Sequence, residues 1–353
     1  MELNCTVGNY CRSVAFSTVL RHYGYPLSEA MCFGLGAAFD FSSSDMHFGR
    51  HREKKLLCFS GCNSNDVYYI ADLLHLELRI LQTKTSGQAI RLIDQFVNRE
   101  QIPLIARVCI KEYLSCLKST VTNHVRESED IFNIIDSRPS NHVTVISGLN
   151  RKQITIHEPN LMEPSLIPRK VFCKALSPKS GLIAPSANTF YLLRPTLSFE
   201  ALRPEMPALA AKAICDNMDQ YLSGSGKHYG ICALNRIRDL LKDGMTAEEH
   251  SENLSMFRFF CDVVTGGGFY RRLYCRFLKE VNLLYFQNDE LACCAQAYGR
   301  LSQAWSRLGK HFLSADFGLE KTELQAQVQS VIDNEWQAAQ ALYRTGEMIR
   351  NVL

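Results

Sequence analysis

Cys11, His142 and Glu158, in that order along the chain, are the residues whose types and spacing suit nucleophilic chemistry. The attacking species is thiolate, and it is favoured at a helix start, where unpaired N–H groups and the helix dipole stabilise negative charge. Cys11 opens the first strongly helical stretch, directly after the turn-like Gly8-Asn9-Tyr10. A base must hold the thiol proton, and a third group must orient the base. His142 starts one strand-like run, and Glu158 stands at the end of the next. A hairpin of that size sets strand start beside strand end, so Glu158 reaches the ring nitrogen of His142 that faces away from the thiol. Taken singly, each residue has a plainer reading. Cys11 reads as a buried helix cysteine, His142 as a strand-end histidine bonded to backbone, and Glu158 as a solvated turn acid before Pro159.

The elements that must position these residues follow from periodicity. Over Cys11 to Tyr23, Val14, Phe16, Val19, Leu20 and Tyr23 fall largely on one side of a helix that Gly24, Tyr25 and Pro26 end. Ser28 caps a second helix over Glu29 to Phe33. Two more helices are predicted over Asn65–Leu76 and Ser86–Arg99, with a strand over Leu78–Leu81. Pro103–Ile110, His142–Gly148, Gln153–His157 and Asn188–Leu193 read as strands, the middle two joined by a turn at Leu149–Lys152. Helices first and antiparallel strands later predict an α+β domain over 1–198. Six helical stretches between Ala208 and Val352 then predict an all-α domain over 199–353, interrupted at Gly266-Gly267-Gly268. The polar, weakly patterned segment Lys111–Asn141 has the character of a lid or specificity loop.

Composition narrows the function classes. The 353 residues carry 39 Lys and Arg against 36 Asp and Glu, a net charge of +3, without the clustered basic excess that nucleic acid requires. No apolar run approaches the ~18 residues of a membrane span, and MELNCTVGNYC is not a secretory leader. A soluble cytoplasmic protein is expected. The 14 cysteines sit mostly singly in apolar stretches, which suits reduced thiols better than disulfides. No paired CxxC knuckles occur, and His47 and His51 lack the Glu and third ligand of a zinc helix, so no metal is expected. Gly266–Gly268 lacks the remaining residues of a phosphate loop. Gly268 nevertheless leads into Tyr270, Arg271 and Arg272, where helix N–H groups and guanidinium can hold an anion, although a structural Arg–carboxylate pairing or a solvated face is the plainer reading.

A family resemblance adds to this reading. Tyr23-Gly24, Leu27-Ser28-Glu29-Ala30 and Phe33-Gly34-Leu35-Gly36, within LRHYGYPLSEAMCFGLG, resemble the opening of the butirosin biosynthesis protein H N-terminal family. NHVTVISGLNRKQITIHEPN resembles the hairpin of that family and of bacteriocin-processing cysteine peptidases, with Glu158-Pro159 where Asp-Pro is usual. TGGGFYRRLYCRFLKEV, from Thr265 to Val281, resembles the helical C-terminal domain that accompanies it. The chain departs from the pattern at Tyr10, often His, at Arg12, often a small residue, and at Glu158, whose added methylene changes its reach by about 1.5 Å.

The resemblance implies a papain-like N-terminal domain that moves an acyl group from a carrier-protein thioester to an amine. Cys11 is then the nucleophile, His142 the general base and acid, and Glu158 the orienting carboxylate. The Cys11 N–H supplies one oxyanion donor. Papain-like enzymes add a side-chain amide upstream, but the position six before Cys11 is Cys5, which leaves Asn4 and Asn9 as candidates. Tyr10, Arg12, Tyr270, Arg271 and Arg272 are candidate substrate contacts. The donor is a phosphopantetheine-linked acyl thioester, on acyl carrier protein or as acyl-CoA, with no tightly bound cofactor. The acceptor is an amine-bearing small molecule of natural-product biosynthesis. A cysteine peptidase or amidase using the same triad, and a binding module on a decayed enzyme scaffold, are the competing classes.

Overall fold

The structure is a computed structural model that describes the chain apart from residues 49–53, 110–111, 114–115, 118–141, 178–185, 225–227, 242–246 and 315–320. Most of the expected lid over 111–141, and His51, therefore lie outside the described residues. The fold is α+β, with antiparallel strands in two sheets. By their contacts the residues divide into two compact units: Met1–Cys32 with Ala71–Leu202, and Phe33–Ile70 with Arg203–Leu353. A single cut at 198/199 misses that division, because the segment 33–70 packs with the C-terminal part of the chain.

In the first unit, α1 (Cys11–His22) is followed by the start of α2 (Glu29–Leu35). The one-sided apolar stripe expected of α1 is in fact a helix buried from Ser13 through Leu20. Its polar members are tolerated because they find partners, as where the Ser17 hydroxyl donates to the Leu27 carbonyl at 2.7 Å. Ser28 caps α2 as its position predicts, its hydroxyl accepting from the Met31 N–H at 3.0 Å.

The sheet of this unit runs, in spatial order, Leu76–Gln82 (β3), Thr189–Pro195 (β8), Leu104–Val108 (β4), His142–Leu149 (β5), Gln153–His157 (β6) and Ser165–Pro168 (β7). One face packs on α4 (Ser86–Ile93) and α5 (Arg169–Leu176), burying Ile93, Leu104, Val108, Ile146, Ile156 and Phe172 together. The helix predicted to reach Arg99 continues past α4 in wider turns over Asp94–Arg99. Helix α1 packs against β5. The register pairs Ile146 with Ile156 and Val145 with His157, with a bulge between Ile146 and Gly148. Strand β7 and helix α5 have no counterpart in the sequence reading.

The second unit begins with a hairpin, β1 (Phe39–Phe48) and β2 (Lys54–Cys62), which the sequence analysis also does not contain. The serine-rich run of β1 hides its strand character, although Phe39, Phe41 and Ser43 are buried at period two, with Asp40 buried between them. Helix α3 (Asp66–Leu73) straddles the boundary between the two units, and a short helix, α6 (Phe199–Leu202), closes the first. The remainder is helical: α7 (Met206–Ser223), tight helical turns over Ile231–Leu241, α8 (Ala247–Arg258), α9 (Arg271–Val281), α10 (Asp289–Ser314) and α11 (Lys321–Val352). Among the described residues no helix is long and apolar enough to cross a membrane. None of the fourteen cysteines forms a disulfide.

Candidate active site

Within the first unit, Cys11, His142 and Glu158 come together. The β5–β6 register carried one residue past its last pair sets Glu158 opposite Thr144, diagonal to His142 on the same face. The long glutamate side chain spans that diagonal: His142 Nε2 donates to Glu158 Oε2 at 2.8 Å. The other ring nitrogen is left for Cys11, whose thiol is hydrogen-bonded to the ring. Glu158 is buried, while 16% of the His142 side chain stays accessible, so the ring lies within the protein mass yet opens to the surface. The second carboxylate oxygen accepts from the Tyr113 hydroxyl at 2.8 Å. Both acceptor oxygens are thereby committed, which fixes the carboxylate plane and through it the imidazole.

The electrostatics favour an ion pair. Burial pushes the Cys11 thiol up, but the hydrogen bond and charge of His142, the Val143 N–H and the Arg12 charge outweigh it and leave the thiol lowered. Burial pushes the His142 ring down, and the charge of Glu158 with the bonds from Cys11 and Glu158 overrides this, raising the ring to about 10. The two shifts run in opposite senses, the direction that favours thiolate beside imidazolium. Tyr113 is pushed well above its ordinary range by burial and by the Glu158 charge, so it remains a hydroxyl donor.

A second thiol–imidazole pair lies in the same unit. Cys5 Sγ sits 2.6 Å from His157 Nδ1, and His157 Nε2 is 2.7 Å from the Ser147 hydroxyl. Here burial dominates. It raises Cys5 to about 11 and lowers His157 to about 4, so both are neutral. No carboxylate stands behind this imidazole to support a charge on it, and the pair is unsuited to nucleophilic attack. Consecutive strand residues point to opposite faces, so His157 and Glu158 serve different thiols.

The entry to α1 is held from another helix. Tyr10, at the position that caps α1, makes no side-chain cap. The buried carboxylate of Glu29 takes that role, its Oε1 accepting from the N–H groups of Asn9 at 2.6 Å and Tyr10 at 2.9 Å. Gly8 leaves the space this requires, since a Cβ there would collide with the Glu29 carboxylate. The Gly8 N–H also donates to the Pro159 carbonyl at 2.9 Å, tying the Cys11 turn to the residue after Glu158. Sequence reasoning missed Tyr113, the Cys5–His157 pair and the capping role of Glu29. Only Glu29 lay in a motif that marked it.

The remaining expected residues separate. Asn4 and Asn9 are exposed. Tyr10 is buried, with the Arg12 guanidinium 5.1 Å from its ring centroid. In the second unit, Tyr270 is buried and packs on Phe33. Arg271 is fully buried in a structural carboxylate pair, the plainer of its two readings, and is not a substrate contact. Its Nε donates to Glu335 Oε1 at 2.6 Å, its other nitrogens to Phe269 O and Tyr221 Oη, and its guanidinium lies 4.6 Å from the Phe39 ring centroid. Burial of the pair keeps this guanidinium out of a ligand's reach, and losing one partner costs about 3–5 kcal/mol. Its neighbour Arg272 is exposed and lines a cavity. No group of three or more His, Cys, Asp or Glu suited to a metal occurs among the described residues.

Comparison with known families agrees with the resemblance read from the first helices. Residues 10–114 match the family model described as butirosin biosynthesis protein H, N-terminal. That stretch is similar to the family the first helices resemble. Residues 178–342 match a second model, described as a domain of unknown function (DUF4872), and most of the helical part falls within it. No curated protein matches the chain. The butirosin biosynthesis protein H N-terminal match includes Cys11, Glu29 and Tyr113 but ends before His142 and Glu158.

Proposed function

We propose that the protein is a cysteine-dependent acyltransferase of natural-product biosynthesis, with a papain-like arrangement of Cys-led helix and antiparallel sheet. The observation that carries this reading is the Cys11–His142–Glu158 alignment, in which the thiol is lowered while the ring is raised. The Cys11 thiolate attacks the carbonyl of an acyl thioester, and the oxyanion collapses to expel the donor thiolate, which takes the proton held by His142. The acyl group is then on Cys11. An amine attacks this second thioester, His142 accepts the amine proton, and the products are an amide and the regenerated thiolate. Glu158 keeps the ring oriented and supports its positive charge, and Tyr113 holds Glu158.

A thioester donor needs little leaving-group assistance, so selection falls on which nucleophile, water or amine, reaches the acyl-enzyme. The test is intact-mass analysis after mixing the protein with a short acyl-CoA and with the same acyl group on a carrier protein. The expected result is an acyl adduct on Cys11, absent in Cys11→Ala and discharged to amide by added amine. Free acid released at a rate indifferent to amine would make the protein a hydrolase instead. Full activity in Cys11→Ala would overturn the site.

A further inference from the structure

The second unit contains a cavity of about 690 Å³ between α9 and α10, closed at one end by the Gly266–Gly268 turn. Its cations are arranged by helix period. Arg272, Arg276 and Lys279 follow one another at one-turn spacing on α9, and Arg307 and Lys310 do so on α10. Two rows from two helices thus converge on one space. The lining holds a single carboxylate, Asp262, and the Ser306 hydroxyl donates to its Oδ1 at 2.6 Å. The lining is thus predominantly cationic.

Like charges at these spacings repel along a helix. A solvated cationic face would spread over a convex surface. Here the rows face each other across a concavity, and the turn at its end is shaped for close approach. Residues 266 through 270 all have positive φ, and at Gly267, φ +119°, a Cβ would lie 3.2 Å from the Ser302 hydroxyl. Only glycine keeps that backbone against the serines.

We propose that this cavity binds a small molecule carrying two or three phosphate groups. Guanidinium forks pair with phosphate oxygens two at a time, and cations on two facing helices can engage more than one phosphate. The site is independent of the acyl-transfer reading, since each of its residues belongs to the second unit.

Titration calorimetry on the full chain tests it, with inorganic pyrophosphate, ADP, coenzyme A and, as a monovalent control, acetate. One equivalent of pyrophosphate or ADP is expected to bind, weakening at high salt, while acetate gives no saturable heat. Coenzyme A binding tenfold or more above ADP would identify the source as an acyl donor, and equal binding a free nucleotide. Arg272→Gln with Arg307→Gln should weaken binding about tenfold or more, and Arg350→Gln on α11 should leave it within about twofold. Each single variant repeats the measurement should the double variant melt early. Absence of saturable binding by all three phosphates overturns the proposal. So does equal loss in Arg350→Gln, or binding of an acidic carrier protein alone.

Discussion

His157 Nδ1 lies 2.6 Å from Cys5 Sγ, making a thiol–imidazole contact in the same unit that holds Cys11 and His142. Geometry alone does not separate the two pairs. What separates them is the carboxylate: Glu158 charges the ring of His142, whereas burial keeps His157 neutral. The contrast supplies an internal control for every measurement on the thiols.

Alkylation by iodoacetamide, followed by peptide mass mapping, should find Cys11 reactive at pH 7 and Cys5, raised to about 11, inert. The Cys11 rate should rise at a pH below that of an ordinary thiol near 8.5. In His142→Ala the lowering partner is gone and burial remains, so the midpoint moves up. Turnover uses the charged ring as the partner of the Cys11 thiolate, and so declines as pH passes about 10. The same raised ring adds stability that is complete below its unfolded value near 6.5 and is lost as pH rises through about 10. A Cys5 rate matching that of Cys11 would contradict this assignment.

Glu158→Gln retains the side chain's length but removes the charge that raises His142. Acyl transfer should fall about 10²-fold or more, with the Cys11 alkylation midpoint shifted upward. Tyr113→Phe removes one hydrogen bond to the carboxylate, a loss of about 1.5–3 kcal/mol in a closed site. Its effect should be smaller than that of Glu158→Gln and should fall on kcat more than on KM. Steady-state kinetics with an acyl-CoA donor and an amine separates the two variants.

Glu29→Ala leaves the N–H groups of Asn9 and Tyr10 without their acceptor. Urea denaturation should show a loss of about 2–4 kcal/mol, and Glu29→Gln, which keeps an acceptor oxygen, should lose less. Gly8→Ala should be comparably harmful, because its Cβ meets the same carboxylate. Unchanged stability in Glu29→Ala would show that α1 does not depend on it.

Asp40 gives the second unit a pH signature of opposite sense to an ordinary ion pair. Burial raises its carboxyl to about 6, against hydrogen bonds from the Phe41 and Gly230 N–H groups and the charge of Arg271. The folded state holds the proton more tightly than the unfolded chain, so stability falls as pH rises from about 4 through about 6. The shift corresponds to about 3 kcal/mol at neutral pH. Asp40→Asn should flatten that part of the stability curve and raise the melting temperature at pH 8.

The sequence by itself determined whatever rests on local periodicity. Helix α1 and the β5–β6 hairpin are legible because apolar spacing and turn residues act within a few positions of one another. The hairpin in turn brings Glu158 within reach of His142, because register in a short hairpin leaves little choice. Tertiary structure decided what depends on which groups become neighbours from distant segments. Tyr113 emerges from a stretch with no pattern, and Glu29 caps a helix other than its own. Cys5 and Cys11 are alike as letters, and only burial and the charge behind each imidazole shift one thiol up and the other down. Arg271 and Arg272 are adjacent and chemically identical, but they point about 100° apart around α9. One is enclosed by aromatic rings and Glu335, and the other opens onto the cavity. The side of a helix that meets the core is set by what packs against it, and that information is spread over the whole chain.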